Sequence, residues 1–226
     1  MSFNEVKLLG SWQSPFAFRV RIALNIKSVA YDFQQEDVLV AKSDLLLQSN
    51  PVHKTIPVLI HNGRPICESL VIVQYIDQVW ASGPGSILPS DPHDRAMARF
   101  WTSYIDDTWF KHLNATLLSQ GEDARRKSHD ETSKGLLVLE AALGCQNFFG
   151  GDRIGYVDVA LGCFLPLISV IEKECHIRLI DEFKTPKLLK WAQHFSADAA
   201  VKDILPDTDE LCECYRSHVS VIKGWG

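Results

Sequence analysis

Strand and helix patterns alternate between Glu5 and about Ala81, and this alternation constrains the fold more than any other feature of the sequence. Short apolar runs bounded by turn residues predict strands, whereas apolar residues spaced by three and four predict helices. The predicted elements are a strand at 6–9, a helix from Pro15, a strand at 29–34, a short helix at 43–48, strands at 58–61 and 65–67, and a helix opened by Glu68-Ser69. This order is βαβ, then a short helix, then ββα, which predicts an α/β domain.

Two breaker-rich stretches, Gly83-Pro84-Gly85 and Pro89-Ser90-Asp91-Pro92, follow this alternating part. Because such stretches are typical of domain boundaries, we expect a first domain at 1–82, a linker at 83–92 and a second domain at 93–226. Helical spacing predicts helices at about 94–118, around Leu136, Leu139 and Leu143, at 157–168, at 188–195 and at 211–219. No convincing strand pattern lies beyond the linker, so we expect the second domain to be all-α.

The charge balance argues against a nucleic-acid partner. The 226 residues include 23 Lys and Arg against 28 Asp and Glu, which gives a formal net charge of −5. Binding to a phosphate backbone depends on clustered positive charge, and the one short basic run, Arg125-Arg126-Lys127, fits a solvated helix face. No window reaches the length of a membrane span, and the N-terminus lacks a targeting pattern. We therefore expect a cytoplasmic protein with no membrane partner.

The cysteine spacing predicts neither disulfides nor a metal site. Six cysteines fall at irregular spacings in a chain that is long enough to bury a core without disulfides. Cys212-Glu213-Cys214 is not a C-x-x-C pair, and no second Cys/His pair stands at zinc-ligand spacing. We expect reduced thiols and no bound metal.

Ser14 stands where the first strand runs into the first helix, and it has two interpretations. Ser before Pro is a strong helix start, because the hydroxyl accepts a hydrogen bond from a first-turn N–H and Pro15 gives up no useful donor. Alternatively, a hydroxyl at a helix N-terminus, where the macrodipole leaves partial positive charge, is well placed to donate to an anion such as a thiolate. The local sequence leaves both interpretations open.

Three segments of the first part stand out together. They are Ser14-Pro15-Phe16 with Arg19-Val20-Arg21-Ile22-Ala23-Leu24, then Asn50-Pro51-Val52-His53-Lys54-Thr55-Ile56-Pro57-Val58-Leu59, then Cys67-Glu68-Ser69-Leu70. In order and spacing they resemble the glutathione transferases of the plant tau class. In the second half the resemblance is looser and rests on Phe100-Trp101 and on residues 155–162. It implies a thioredoxin-like domain followed by a helical domain, a homodimer, and glutathione as co-substrate without a further cofactor, bound mainly by the first domain.

The resemblance implies a glutathione site made of seven residues. Ser14 stabilises the thiolate, and a cis Ile56-Pro57 bond turns the Ile56 backbone toward the cysteinyl unit of glutathione. Glu68 and Ser69 open a helix whose N–H groups suit the γ-glutamyl carboxylate, unless they are a plain capping pair. Lys42 and Lys54 are the candidates for the glycyl carboxylate. The tau pattern commonly has a second Lys where this chain has Thr55, so we expect the departure to affect how the glycyl end is held.

The resemblance also implies an apolar pocket for the electrophilic acceptor between the two domains. Its candidate residues are Phe16, Val38, Tyr104, Thr108, Phe164 and Tyr215. For each aromatic residue, packing in the core is the alternative. Asp158, near the start of its helix, is expected to be structural and to accept first-turn N–H groups, with Gly155 as the cap.

The resemblance and the candidate residues leave three possible functions. The first is an enzyme of detoxification and stress response that conjugates glutathione with hydrophobic electrophiles, with reduction of organic hydroperoxides as a further activity. The second is a thiol-disulfide transferase, which Ser14 argues against because a hydroxyl cannot form a mixed disulfide. The third is a non-catalytic carrier (ligandin) of hydrophobic ligands.

Overall fold

The computed structural model describes residues 5–37 and 41–223, with side chains up to Ser217. The chain divides into two compact units. The first comprises Met1–Leu88 with Ala199–Ile204, and the second comprises Pro89–Asp198 with Leu205–Gly226.

A four-stranded mixed sheet forms the centre of the first unit. Its elements are β1 (Val6–Gly10), α1 (Pro15–Ile26), β2 (Asp32–Gln35), α2 (Asp44–Ser49), β3 (Val58–His61), β4 (Arg64–Cys67) and α3 (Ser69–Val79). The strand order is β2-β1-β3-β4, in which β1 and β2 are parallel and the other two pairs are antiparallel. The predicted thioredoxin-like order is confirmed, although β2 begins at Asp32 and not at the predicted residue 29.

Both faces of β1 are covered by apolar side chains. Leu8 and Leu9 are fully buried, and successive residues of a strand point to opposite faces of the sheet. On one face, Leu46 of α2 packs with Leu9 and Val58. Helices α1 and α3 contact each other and bury apolar side chains such as Val20. The packing of these helices holds the sheet in place. The loops at its edge therefore start from a fixed backbone.

A buried ion pair holds the end of the first unit. Lys27 Nζ lies 2.7 Å from the Asp77 carboxylate and also donates to the carbonyl of Gly85. The same carboxylate accepts the N–H groups of Ile87 at 2.8 Å and Leu88 at 3.0 Å. A buried charge is tolerated when it is paired and hydrogen-bonded, and here the pair ties residues 85–88 to α3.

Helices make up the second unit, as predicted. They are α4 (Pro92–Tyr104), α5 (Phe110–Leu118), α6 (Glu122–Leu143), α7 (Tyr156–Gly162), α8 (Leu165–Cys175), α9 (Pro186–Ala197) and α10 (Thr208–Lys223). A π-helical turn, Ile105–Trp109, joins α4 to α5, so the predicted helix at about 94–118 is a continuous helical run with one wider turn. In the described ranges of this unit, β-type pairing is limited to an isolated bridge between Phe148 and Gly151.

The prediction of one helix at 157–168 is wrong. The structure has two helices there, because α7 ends at Gly162 and α8 begins at Leu165. Pro166 explains the break, since proline has no N–H to donate and is tolerated only in the first turn of a helix, where it lies in α8. Apolar spacing alone missed this break because both helices are buried on a wide face.

Asp158 is structural and Gly155 is the N-cap of α7, as predicted. The Asp158 carboxylate accepts the N–H of Gly155 at 2.8 Å. It also accepts the N–H groups of Phe149 at 2.8 Å and Gly150 at 2.9 Å, and the indole N–H of Trp191 at 2.8 Å. The residue is fully buried, and desolvation raises the pKa of its carboxyl to about 6 against the opposing effect of these donors. Asp158 therefore joins the loop before α7 to α9.

No helix among the described residues is both long enough and apolar enough to cross a membrane.

Candidate functional site

The strand register brings three chain segments to one edge of the sheet. Leu9 pairs with Val58, and Val58 pairs with Cys67, so the end of β1, the start of β3 and the end of β4 lie side by side. The segment after β1 leads to Ser14, the segment before β3 contains Ile56-Pro57, and the segment after β4 is Glu68-Ser69. Three of the predicted site segments therefore leave the sheet at the same edge.

Ser14 is the N-cap of α1, which confirms its capping role. Its Oγ accepts the N–H of Ala17 at 3.4 Å, and its own N–H donates to the Ser11 carbonyl at 3.1 Å. The first turn of α1 contains no acidic residue, so no side-chain charge there offsets the partial positive charge of the helix N-terminus. A hydroxyl that accepts one hydrogen bond still has its proton to donate. The geometry is compatible with both roles of Ser14.

The peptide bond between Ile56 and Pro57 is cis, as predicted. Pro57 is buried directly before β3, where its missing N–H is not needed for the strand ladder. Ile56 is half-buried and packs against the cluster of Leu9, Leu46 and Val58. This packing fixes the backbone of Ile56 at the sheet edge.

Asn50 organises the loop that carries Lys54 and Ile56. Its side-chain amide donates to the carbonyl of Thr55 at 3.0 Å, and its side-chain oxygen accepts the N–H of His53 at 3.1 Å. Its own carbonyl accepts the N–H of Lys54 at 2.9 Å. The sequence pattern includes Asn50 only as part of a segment that carries the family resemblance. The signal that predicts its role is the tendency of Asn side chains to bond backbone groups a few residues further along the chain.

Glu68 and Ser69 begin α3 without forming a plain capping pair. Glu68 is the N-cap with φ of 70°, and its side chain makes no capping hydrogen bond. Its carboxylate lies 3.8 Å from Nε2 of His53 and is largely exposed. Ser69 is buried, and its Oγ accepts from the guanidinium of Arg19 at 3.2 Å. The Glu68 side chain therefore does not cap the first N–H groups of α3. The buried guanidinium of Arg19 lies at the same helix start, because it donates to Ser69.

Lys42 and Lys54 are both exposed. Lys54 has a positive φ of 54°, which follows from the tight loop that Asn50 closes. Lys42 directly precedes Ser43, the N-cap of α2, whose hydroxyl donates to the Glu36 carboxylate at 2.6 Å. Each lysine therefore has a fixed backbone and a side chain that is open to solvent.

The acceptor-pocket candidates are divided between the two units. Phe16 is half-buried in the first unit, with the Arg19 guanidinium 5.2 Å from its ring centroid. Val38 lies outside the described residues. Thr108 is exposed on the π-helical turn of the second unit, and Tyr104, one turn earlier, is half-buried, which raises the pKa of its phenol. On α10, burial with help from the neighbouring Cys214 raises the pKa of Tyr215 to about 12.

Phe164 corresponds to the core-packing alternative. Its side chain has no exposed surface. The ring stacks on Phe110 with centroids 4.6 Å apart and meets Trp109 edge-on at 5.9 Å. The prediction that Phe164 lines an open pocket is therefore not supported, because its ring is enclosed within the second unit.

Asp91, His93 and Asp94 are the one group of described residues close enough together to hold a metal ion. All three are exposed, and the Asp91 carboxylate already caps α4 by accepting the N–H groups of His93 at 2.8 Å and Asp94 at 3.0 Å. Capping of α4 therefore explains why these three side chains lie close together.

Comparison with known families covers both units. The family model described as "Glutathione S-transferase, N-terminal domain" matches residues 4–78, and that described as "Glutathione S-transferase, C-terminal domain" matches residues 93–199. Glutathione S-transferase U17 of Arabidopsis thaliana is 51% identical over 217 residues, which span 94% of this chain and 95% of that protein. Glutathione S-transferase U15 of the same plant is 48% identical over 214 residues, 93% of this chain and 92% of that protein.

Solved structures show the same similarity. A tau-class glutathione S-transferase from mango, Mangifera indica, superposes with a TM-score of 0.90 at 52% identity and covers 94% of this chain and 97% of that chain. A rice glutathione S-transferase, solved in complex with glutathione, has a TM-score of 0.88 at 37% identity and covers 100% of both chains.

Proposed function

This chain belongs to the glutathione S-transferases, in the plant tau class, and we propose that its Ser14 hydroxyl stabilises the glutathione thiolate that the enzyme transfers to electrophiles. The observation that supports this role is the convergence at one sheet edge of the N-terminus of α1, the cis Ile56-Pro57 bond and the N-terminus of α3. A tripeptide bound along this edge has its sulfur within reach of Ser14.

The required stabilisation is within reach of one hydroxyl at a helix N-terminus. A cysteine-like thiol has a pKa near 8.5, so only a few per cent is thiolate at pH 7. Lowering the pKa by about two units takes roughly 3 kcal/mol of preferential stabilisation of the anion. A charge-assisted hydrogen bond and the helix dipole together supply about that much. Ser14 donates a hydrogen bond and does not attack the substrate.

The remaining groups of glutathione have matching partners. We assign the cysteinyl backbone to Ile56 and Pro57, and the γ-glutamyl carboxylate to Ser69 and the first N–H groups of α3. Glu68 takes the γ-glutamyl ammonium, because its carboxylate is exposed at the same helix start. Lys42 and Lys54 take the glycyl carboxylate. The rice relative crystallised with glutathione supports this choice of ligand.

We assign the electrophile to an apolar acceptor site, for which Phe16, Val38, Tyr104, Thr108 and Tyr215 are the proposed contacts. Phe164 is enclosed in the core of the second unit. An acceptor held beside the thiolate reacts within one complex, which raises the effective concentration of the two reactants. The thiolate attacks an electrophilic carbon and displaces its leaving group. With an organic hydroperoxide it attacks the terminal oxygen and breaks the O–O bond, which releases the alcohol and leaves glutathione sulfenic acid; a second glutathione then forms glutathione disulfide and water.

The cellular location, oligomeric state and biological role are proposals as well. We propose a cytoplasmic homodimer that acts in detoxification and stress response. Exposed Met97 and Phe100 on α4 support self-association, because a second copy would bury apolar surface that is otherwise in water. We keep 1–82 as the glutathione-binding domain, 83–92 as the linker and 93–226 as the helical domain with the acceptor site.

A comparison of three activities tests the proposed function. Conjugation of a chlorinated nitroarene and reduction of a small disulfide are each measured with and without glutathione, together with binding of a hydrophobic dye. We expect glutathione-dependent conjugation and little disulfide reduction. Disulfide reduction that exceeds conjugation contradicts the proposal, and dye binding without either reaction indicates the carrier function.

Thr55 offers a specific test of the glycyl subsite. Replacing Thr55 with lysine places a second cation beside Lys54 on the exposed loop, so we expect the KM for glutathione to fall about threefold to tenfold, as for one surface-exposed charge contact. The kcat should change little, because the glycyl carboxylate is remote from sulfur. Steady-state kinetics with Thr55→Gln as the matched neutral control measures this effect. An unchanged KM would place the glycyl carboxylate away from residue 55.

A further inference from the structure

The segment between β1 and α1 is held by a side chain from the neighbouring strand. The side-chain oxygen of Gln35, the last residue of β2, accepts the N–H of Trp12 at 3.0 Å. Its amide nitrogen lies 3.1 Å from the Ser11 hydroxyl, to which it donates. One carboxamide thus bonds two consecutive residues of the segment that leads to Ser14.

These bonds continue the strand pairing beyond its end. The parallel ladder of β1 and β2 finishes where Gly10 pairs with Gln35, and the N–H of Glu36 donates to the Gly10 carbonyl at 2.7 Å. After Gly10 the main chain turns toward α1. The Gln35 side chain then supplies the hydrogen bonds that a further residue of the ladder would have made.

A hydrogen-bonded path runs from Gln35 to Ser14. Ser11 is buried, with 3% of its surface exposed, so its position is sensitive to its few polar partners. The Ser11 carbonyl accepts the N–H of Ser14 at 3.1 Å. A Cβ atom at position 10 would lie 3.1 Å from the methyl group of Ala17 in α1. The segment after β1 is therefore closely packed against α1.

We propose that Gln35 is a positioning residue for Ser14: through Ser11 and Trp12 it fixes the turn that aims the Ser14 hydroxyl at the sulfur of glutathione. This inference rests on the proposed role of Ser14. Hydrogen bonds of reacting groups tolerate small displacements poorly, so a loosened turn weakens the bond from Ser14 to the thiolate without removing the hydroxyl.

Gln35→Leu tests the proposal, because leucine keeps the approximate size of the side chain and removes its hydrogen bonds to Ser11 and Trp12, together with a 3.4 Å bond to the Glu36 carbonyl. We expect the pKa of the bound glutathione thiol to rise by about half a unit to one unit and kcat at pH 6.5 to fall roughly twofold to fivefold. The KM for glutathione should stay within about twofold, because Ser11 and Trp12, which Gln35 bonds, are not among the residues assigned to the glutamyl and glycyl groups. Thiolate absorbance and the pH profile of kcat/KM report these changes.

Gln34→Leu is the matched control. Gln34 precedes Gln35 on β2, and its amide bonds Asp32 of the same strand at 3.4 Å. We expect a wild-type thiol pKa for this variant. A double-mutant cycle of Gln35→Leu with Ser11→Ala tests the path, since the two changes should be less than additive if Gln35 acts through Ser11.

The outcomes separate this inference from the proposed function. If Ser14→Ala raises the thiol pKa and Gln35→Leu leaves it unchanged, Gln35 has no positioning role and the proposed function stands. A lower melting temperature of Gln35→Leu with a wild-type thiol pKa overturns the inference in the same way, because it assigns a purely structural role. If Ser14→Ala itself leaves the thiol pKa unchanged, the proposed role of Ser14 fails.

Discussion

Replacing Ser14 with alanine is expected to raise the pKa of enzyme-bound glutathione by about one to two units and to lower kcat at pH 6.5 roughly fivefold to fiftyfold. The reason is that alanine removes the one hydroxyl proposed to donate to the thiolate and leaves the rest of the sheet edge in place. Because the thiolate is the nucleophile, its fraction at a given pH limits the rate of conjugation. Titration of thiolate absorbance in the binary complex measures the pKa directly, and steady-state kinetics from pH 6 to pH 9 measures its effect on rate.

Two further substitutions separate this role from helix capping. Ser14→Gly removes the hydroxyl, yet glycine as an N-cap costs only a few tenths of a kcal/mol, whereas alanine costs about 1 kcal/mol. Ser14→Thr keeps both the hydroxyl and the cap. We expect glycine to show the same raised thiol pKa as alanine with near-normal thermal stability, and threonine to retain much of the wild-type activity. Wild-type turnover in the glycine variant would leave Ser14 with the capping role alone.

Replacing Asp158 with alanine is expected to lower the free energy of unfolding by about 4 kcal/mol. The change leaves the N–H groups of Phe149, Gly150 and Gly155 and the indole N–H of Trp191 without their acceptor in a fully buried position. Denaturation in urea, followed by tryptophan fluorescence at pH 7.5, measures the loss. Asp152→Ala is the matched control, because Asp152 lies exposed in the same loop, and its removal should cost less than about 0.5 kcal/mol.

The pH dependence of this effect follows from the raised pKa of Asp158. The folded Asp158 carboxyl has a pKa of about 6, whereas the ordinary pKa of an Asp carboxyl is 3.8, so between these values the folded state binds more protons than the unfolded state. The contribution of Asp158 to the free energy of unfolding therefore falls as pH rises from about 4 to 6, by on the order of 3 kcal/mol, and is constant above that range. Asp158→Asn lacks this dependence, and a constant difference between wild type and Asp158→Asn over this range would contradict it.

The fold of the first unit followed from local patterns. The apolar run at β1, the Ser14-Pro15 helix start and the helical spacing in α3 each depend on residues that are close together in the sequence. The break between α7 and α8 was missed because both helices are buried, and a wide apolar face gives the same spacing with or without an interruption. Proline at residue 166 was the available signal.

Local sequence patterns predicted only part of the candidate site. Ser14, Pro57 and Glu68 were found because each marks the start of a helix or strand, and because their order resembles a known family. Asn50 and Gln35 were missed because a glutamine or asparagine in a polar loop or on a strand has no distinctive local pattern. Their importance appears only through the backbone groups that they bond.

The sequence by itself determined the order of the elements in the first unit, the cap of α1 and the family, because these depend on short-range sterics, capping and residue identity. Only the tertiary structure decided which distant residues meet. Strand register placed Leu9, Val58 and Cys67 side by side and so gathered three helix and strand ends at one edge. Hydrogen bonds such as that of Gln35 with Ser11, 24 residues apart, depend on that register, and no local propensity specifies it.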